Sequence, residues 1–436
     1  MMKKIGIRYE DKYVMERRVP LVPAHLKRLI ADEGLEFSVE TSAKRVFTDE
    51  EYEAAGANVT DDLSDCPVIF GVKEIPINRH EGEKIYMFFS HVIKGQPHNM
   101  PMLKRLIELK CTLIDYERVV DEMGRRLIFF GRHAGLAGMI NSLWSLGQRL
   151  EEAGIITPFL DIAQTHTYHS LGEARKVVSK VGQKIIEKGL PPELKPIVIG
   201  FTGYGNVSQG AQEIASLLPI KEILPDELLS LHKHAHLADN IIYKVVFKEE
   251  HLVEPINPED EFDLQDYYQH PEKYRSQFEK YLPCLTVLVN CIYWDPRYPR
   301  LLTKDFAEQL FKEGYPKLTI IGDITCDPDG SVEITHRGTE IENPVFVYNP
   351  FTRTPADGFK GDGLLVMAVD ILPSELPRDA SLFFSEVLWR YVAPIAKADF
   401  DQPFSKISLP GPVRKAMILY KGEFTPDYEY LKKYIS

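Results

Sequence analysis

Apolar residues fall along this chain in short continuous runs, and between most of the runs they recur at helical spacing. That alternation of buried-strand and amphipathic-helix patterns is the mark of an α/β protein with parallel sheets. In the first third the pattern predicts strands at 4–9, 37–40, 67–72, 85–89, 112–116 and 126–130. Helices are predicted to open at Pro23, at Thr48-Asp-Glu-Glu51 and over 101–110. Proline suits a first helical turn, where its missing N–H would have no partner, and Thr48 with Glu51 forms a capping box. A long helix from Gly135 with Met139, Ile140, Leu143, Leu146 and Leu150 on one face, and another over 171–188, lead out of this segment.

The run 196–211, PIVIGFTGYGNVSQGA, stops at a glycine cluster and restarts as a helix. Gly203, Gly205 and Ser208 have G-x-G-x-x-S spacing. The first glycine can take a tight turn and the second can let backbone approach a pyrophosphate. Ser208 stands where a third small residue allows helix to pack on strand. The free N–H groups of the helix start, at Asn206, Val207 and Ser208, would face the phosphates. A short strand at 221–224 follows and ends in Pro225-Asp226, near the position where a carboxylate would hold a ribose 2′-OH. Pro225 occupies that place with Asp226 one residue late and His232, Lys233 and His234 nearby, so NAD and NADP both remain open.

The polar, His- and Tyr-rich stretch at about 233–281 is too long for an ordinary connection and reads as an insertion. Strands resume at 285–290 and 318–321. In an open parallel sheet ligands sit at carboxyl strand ends, which makes Asn290 and Asp323 site candidates. Helical patterns at 363–371 and 378–391 are read as returning to the first domain. The expected organisation is a discontinuous domain of 1–134 with 372–436 and a dinucleotide domain of 135–371.

With 436 residues, 44% of them hydrophobic, the chain can bury two cores. A formal charge of −12 argues against a sequence-independent grip on nucleic acid or anionic membrane. Five dispersed cysteines without a C-x-x-C pair indicate neither a disulfide framework nor a metal site. With no apolar signal core at the start and no long apolar span, the reading is a cytoplasmic protein without a membrane segment.

Lys73 and His91 each follow an apolar strand in the first domain, as side chains at the mouth of a site do. Glu74 and Glu117 stand where they can set the charge state of that pair. Arg17-Arg18 and Arg125-Arg126 are the clearest basic pairs and suit carboxylate recognition on an acidic chain.

Together these pieces resemble the lysine–2-oxoglutarate reductase part of aminoadipic semialdehyde synthase. The words that carry the resemblance are ERRVPLVP at 16–23, GVKE at 71–74, FFSHVIK at 88–94, LIDYE at 113–117, FGRHAGLAG at 130–138, GYGNVS at 203–208, HPEKY at 270–274, NCIYW at 290–294 and DILP at 370–373. The broader group includes fungal saccharopine dehydrogenase and alanine dehydrogenase. It implies two Rossmann-like α/β domains around a cleft, the first discontinuous and closed by C-terminal helices.

The resemblance implies acid–base roles for Lys73 and His91, a carboxylate-binding role for Arg18, and substrate-domain positions at Glu74, Glu117 and Arg126. It puts Asp323 near the nicotinamide. The implied reaction condenses the ε-amine of L-lysine with 2-oxoglutarate and reduces the imine to saccharopine with hydride from NADPH or NADH, NADPH being slightly preferred. The chain stops at Ser436 without a second, saccharopine-cleaving domain, so a separate dehydrogenase is implied as functional partner. Oligomeric state is not readable. The alternatives are another amine/2-oxo acid reductase or an alanine dehydrogenase of the same fold group, and a non-catalytic protein that binds nucleotide or metabolite.

Overall fold

A computed structural model describes residues 4–231, 238–314 and 316–435. They form two compact units, one of Met1–Phe130 with Pro377–Ser436 and the other of Gly131–Leu376, where the sequence reading divides the chain after 134 and before 372. The strands of the first segment are β1 (Ile5–Ile7), β2 (Phe37–Glu40), β3 (Asn58–Thr60), β4 (Val68–Phe70), β5 (Ile85–Phe88) and β6 (Thr112–Asp115). The second unit carries β7 (Ile197–Thr202), β8 (Ile220–Glu222), β9 (Ile242–Phe247), β10 (Val253–Pro255), β11 (Tyr274–Ser276), β12 (Val287–Asn290) and β13 (Ile320–Asp323). It ends with β14 (Val345–Asn349), β15 (Thr354–Asp357) and β16 (Leu364–Met367). The returning segment adds β17 (Met417–Tyr420) and β18 (Glu423–Phe424) to the first unit.

The first unit is an eight-stranded sheet in the order β18-β17-β6-β5-β4-β1-β2-β3. Its strands β1 to β6 pair in parallel, and β17 and β18 close one edge antiparallel. Strands β1, β4, β5 and β6 are buried throughout, as expected of parallel strands covered on both faces. The carboxyl ends of these four strands therefore share one edge, and that edge carries the candidate residues described below.

One predicted strand is absent: 126–130 forms only an isolated bridge between Val120 and Arg126. Ile128 and Phe130 are still buried with the half-buried Leu127 and Phe129 alternating with them, but Phe130 stacks on Phe384 with centroids 4.7 Å apart instead of joining a sheet. Phe384 lies on the helix Pro377–Lys397, which places its apolar stripe against this sheet. Aromatic packing has overridden the strand pattern there.

The second unit has an eight-stranded sheet in the order β15-β14-β16-β13-β12-β7-β9-β8, and β10 with β11 forms a separate two-stranded sheet. Two expectations fail in this unit. The stretch 233–281 is not wholly an insertion, because β9 within it is a sheet strand lying parallel between β7 and β8. Likewise 363–371 is not helical: β16 lies between β13 and β14, and its four residues are all buried. A short apolar run buried on both faces has no period by which to tell strand from helix.

The helix Gly131–Glu152, which begins four residues before Gly135, is held against the helix Asn206–Ala215 by glycines. A Cβ on Gly135 would lie 1.9 Å from the Val207 carbonyl oxygen, and one on Gly210 would lie 2.2 Å from that of Arg132. Only residues without a side chain permit this approach, so the glycines fix the helix that follows the glycine turn. Among the described residues no helix is long and apolar enough to cross a membrane. None of the five cysteines is paired.

Candidate active site

In the first unit the chain leaving β1 is bonded to the turn that follows β4. Glu10, 4% exposed, accepts hydrogen bonds from the backbone N–H of Val72 at 2.7 Å and of Lys73 at 2.9 Å. It thereby pins the turn that presents Lys73 and Glu74. Burial pushes its carboxyl up to about 7, against the opposing charge of Arg8. The Lys73 ammonium lies 5.8 Å from the centre of the Tyr13 ring.

His91 follows β5 with φ +47°. This left-handed conformation costs an L-residue about 1–2 kcal/mol, and Asn99 supports it with an amide hydrogen bond to the His91 carbonyl at 3.1 Å. The imidazole Nδ1 lies 2.8 Å from Glu74 Oε1, and Lys12 Nζ lies 2.7 Å from the same oxygen. Burial alone would raise the Glu74 carboxyl, but hydrogen bonds and charge from His91 and Lys12 hold it well below the usual carboxylate range. An ionised Glu74 is a pure acceptor, so Nδ1 of His91 carries the proton and Nε2 is left for other chemistry.

Arg18 is 4% exposed and grips Glu16 with two parallel hydrogen bonds, Nε to Oε1 at 2.7 Å and Nη2 to Oε2 at 2.5 Å. Its guanidinium also lies 4.2 Å from the Phe130 ring centre. Burial works to raise the Glu16 carboxyl, but Arg18, and then Lys73, bring it below its ordinary value. At the far side Arg126 donates to Glu117 at 2.6 Å. Asp115 accepts from the backbone N–H of Glu117 at 2.8 Å and from the Ser90 hydroxyl. Burial and the neighbouring Glu117 charge push Asp115 up to about 6, against hydrogen bonds from the Ser90 hydroxyl and the Glu117 backbone and then the charge of His91.

All six first-domain candidates thus lie on one chain of charges: Arg18, Glu16, Lys73, Glu74, His91, Asp115, Glu117, Arg126. Sequence reasoning missed Glu10, Lys12, Glu16 and Asp115. Glu16 stands inside the ERRVPLVP word and Asp115 ends a strand, so their positions were visible while their partners were not.

In the second unit β7 is buried along its whole length and ends at Gly203, which has φ +78° and donates its N–H to the Phe247 carbonyl at 2.8 Å. Space around a Cβ on Gly205 is open. The helix Asn206–Ala215 begins with no side chain capping its first turn. Open space beside uncapped N–H groups, one turn after a buried parallel strand, fits the pyrophosphate of a dinucleotide. Ser208 is fully buried and accepts from Gln212 at 2.9 Å.

Asn290 and Asp323 end β12 and β13 and are buried. The Asn290 amide donates to Asp323 at 2.9 Å and to Ser331 at 2.8 Å, and its oxygen accepts from Thr202 at 2.8 Å. Asp323 also accepts from Thr325 at 2.6 Å and Thr335 at 2.5 Å. These contacts tie the ends of β7, β12 and β13 together. Burial raises the Asp323 carboxyl against those hydrogen bonds.

Asp226 lies on the helix Pro225–Ser230 after β8, and β8 is the sheet edge. The strand beside β7 is β9, so Asp226 sits one strand farther out than the sequence reading assumes. Lys248 and Glu249 directly follow β9, and Glu249 accepts from Tyr268 at 2.7 Å and from Tyr204 of the glycine turn. His232, Lys233 and His234 lie outside the described residues. Among the described residues no cluster of three or more His, Cys, Asp or Glu side chains could hold a metal ion.

Residues 6–137 match the alanine dehydrogenase/PNT N-terminal domain. An L-alanine dehydrogenase structure superposes with a TM-score of 0.62 at 17% identity, covering 99% of this chain and 100% of its own. The chain has the alanine dehydrogenase fold.

Within that fold its sequence is similar to two sets of relatives. The alpha-aminoadipic semialdehyde synthase of Arabidopsis thaliana is 41% identical over 98% of the chain, and the chain spans 41% of that relative's length. The saccharopine dehydrogenase [NAD(+), L-lysine-forming] of Emericella nidulans is 28% identical over 88% of the chain and 90% of its own length. The open glycine turn before the uncapped start of the helix Asn206–Ala215 is where a dinucleotide fits in this fold.

Proposed function

We propose that the chain is an oxidoreductase of lysine metabolism that condenses the ε-amine of L-lysine with 2-oxoglutarate and reduces the resulting imine to saccharopine. The observation that carries this reading is that two separately named groups, one named for saccharopine and lysine and the other for aminoadipic semialdehyde, align with nearly the whole chain. The arrangement in the first unit supports it. Amine attack needs a neutral amine, and loss of water from the carbinolamine needs an acid, so one group must accept and return protons near neutral pH.

His91, oriented by Glu74, holds a free Nε2 for that exchange, and Lys73 shares it as a coupled partner. Arg18 and Arg126 hold the oxoglutarate carboxylates, each already steadied by a carboxylate neighbour. In the second unit Gly203, Gly205, Asn206, Val207 and Ser208 cradle the pyrophosphate, and the bound nicotinamide supplies the hydride. Lys248 and Glu249, at the end of the strand beside β7, take the part first assigned to Asp226. The carboxylate suits a ribose diol and the lysine a 2′-phosphate.

The test is steady-state oxidation of NADPH and, separately, NADH with lysine plus 2-oxoglutarate, omitting each in turn. Turnover that needs both substrates supports the reading. Turnover with pyruvate and ammonia alone would turn it to alanine dehydrogenase chemistry. Tight nucleotide binding with no turnover on any amine and 2-oxo acid pair would reduce the chain to a binding protein.

A further inference from the structure

The first unit holds a polar cavity, of about 260 Å³, whose lining includes none of Arg18, Lys73, Glu74 or His91. Its polar lining includes Arg8, Arg79, Glu40, Asp61, Asp62 and Glu81. Arg8 is 5% exposed; its Nη2 donates to Asp11 at 2.8 Å, but its buried Nη1 meets no acceptor. A buried guanidinium donor without a partner pays its full desolvation, so an acceptor brought by a ligand would relieve it. Arg79, at the open side, commits Nη2 to the Tyr9 hydroxyl at 2.7 Å. Against these two cations stand four carboxylates, the half-buried Glu40 and the exposed Asp61, Asp62 and Glu81, while Asp11 lies 2.8 Å from Arg8 and 3.9 Å from Arg79.

The mixture narrows the ligand. Two guanidiniums call for a carboxylate or phosphate, but the facing carboxylates would repel a polyanion. Those carboxylates suit an ammonium group, which the arginines would repel were it not joined to an anion. A molecule carrying one of each satisfies both sides, and roughly 260 Å³ is below the ~300–1,000 Å³ of pockets for larger ligands. We propose that this cavity binds a free α-amino acid, with its carboxylate on Arg8 and Arg79 and its ammonium on Glu40 and Asp61, apart from the His91–Glu74 pair.

The test is calorimetric titration of each of the twenty common L-amino acids into wild type, Arg79→Met, Asp61→Asn and His91→Gln. Equal melting temperatures would show that all are folded. Both cavity variants alter exposed side chains, so their folding should be unaffected. At least one amino acid is expected to bind wild type and His91→Gln alike, and about tenfold or more weakly to Arg79→Met and Asp61→Asn, whose turnover stays at wild type. Its N-acetyl derivative should not bind. The proposal is overturned if no amino acid binds at millimolar concentration, if the two cavity variants bind as wild type does, or if binding disappears in His91→Gln. Each readout stands whether or not saccharopine is formed.

Discussion

Nδ1 of His91 lies 2.8 Å from Oε1 of Glu74, and Lys12 Nζ shares that oxygen at 2.7 Å. The carboxylate fixes both the ring orientation and the tautomer of the histidine, and it is itself kept ionised by two cationic or donating neighbours. Replacing Glu74 with Gln keeps the shape but allows the amide to donate to Nδ1, which leaves the proton on Nε2. Turnover is expected to fall about 10–100-fold while the fold is retained, and His91→Gln to fall about 100-fold or more. Steady-state kinetics with matched circular dichroism checks both. Wild-type turnover in either variant would remove the pair from the mechanism.

Glu10 makes stability depend on pH. Its folded pKa of about 7 is raised above its ordinary 4.5, so its contribution is complete below about 4.5 and is lost as pH rises through about 7. Wild type should therefore lose stability relative to Glu10→Gln between pH 5 and 8, by up to about 3 kcal/mol. Urea unfolding across that range measures the difference. Parallel curves would mean that Glu10 does not titrate there.

Glu74 has the opposite sign. Its folded pKa is depressed, so it contributes above its ordinary value and its contribution is lost as pH falls through the folded one. Glu74→Gln is expected to cost stability at pH 7 and to be nearly neutral in strong acid, read by the same unfolding experiment.

Nucleotide choice tests the order of strands. Lys248→Ala is expected to raise the KM for NADPH about tenfold more than that for NADH, and Glu249→Gln to raise that for NADH selectively. Asp226→Asn should leave both unchanged, because it follows the edge strand. A selective effect of Asp226→Asn would return the ribose position to β8.

Gly135→Ala and Gly210→Ala each place a methyl group against a backbone carbonyl, at 1.9 and 2.2 Å. Each should destabilise the second unit by about 3 kcal/mol and weaken nucleotide binding with it. Differential scanning calorimetry with and without nucleotide checks this. Gly124→Ala, where no atom lies within 4 Å of the added Cβ but φ is +77°, is a control for backbone cost alone.

Much of this protein is local and was therefore legible from its residues. Strand Phe37–Glu40 and helix Leu171–Lys188 carry clear periodicity, Thr48 and Glu51 form a complete capping box, and the buried strand before Gly203 runs straight into its turn. Each depends on residues a few positions apart. What the sequence left undecided depends on pairing across long separations. Strand β9 hides in a polar stretch because Lys244, in the middle of it, is neutralised by Glu222 at 2.7 Å on the neighbouring strand. Which strand adjoins β7, and so whether Asp226 or Glu249 stands beside the glycine turn, follows from that pairing alone. Likewise Lys73, Glu74 and His91 were recognisable as strand-end residues, but only folding brought Lys12 and His91 onto one carboxylate and set Lys73 near the buried Glu16. Hydrophobic pattern and turn chemistry act over a turn of helix or a strand, whereas charge acts through space, and the partners of a buried charge exist only once the sheet has formed.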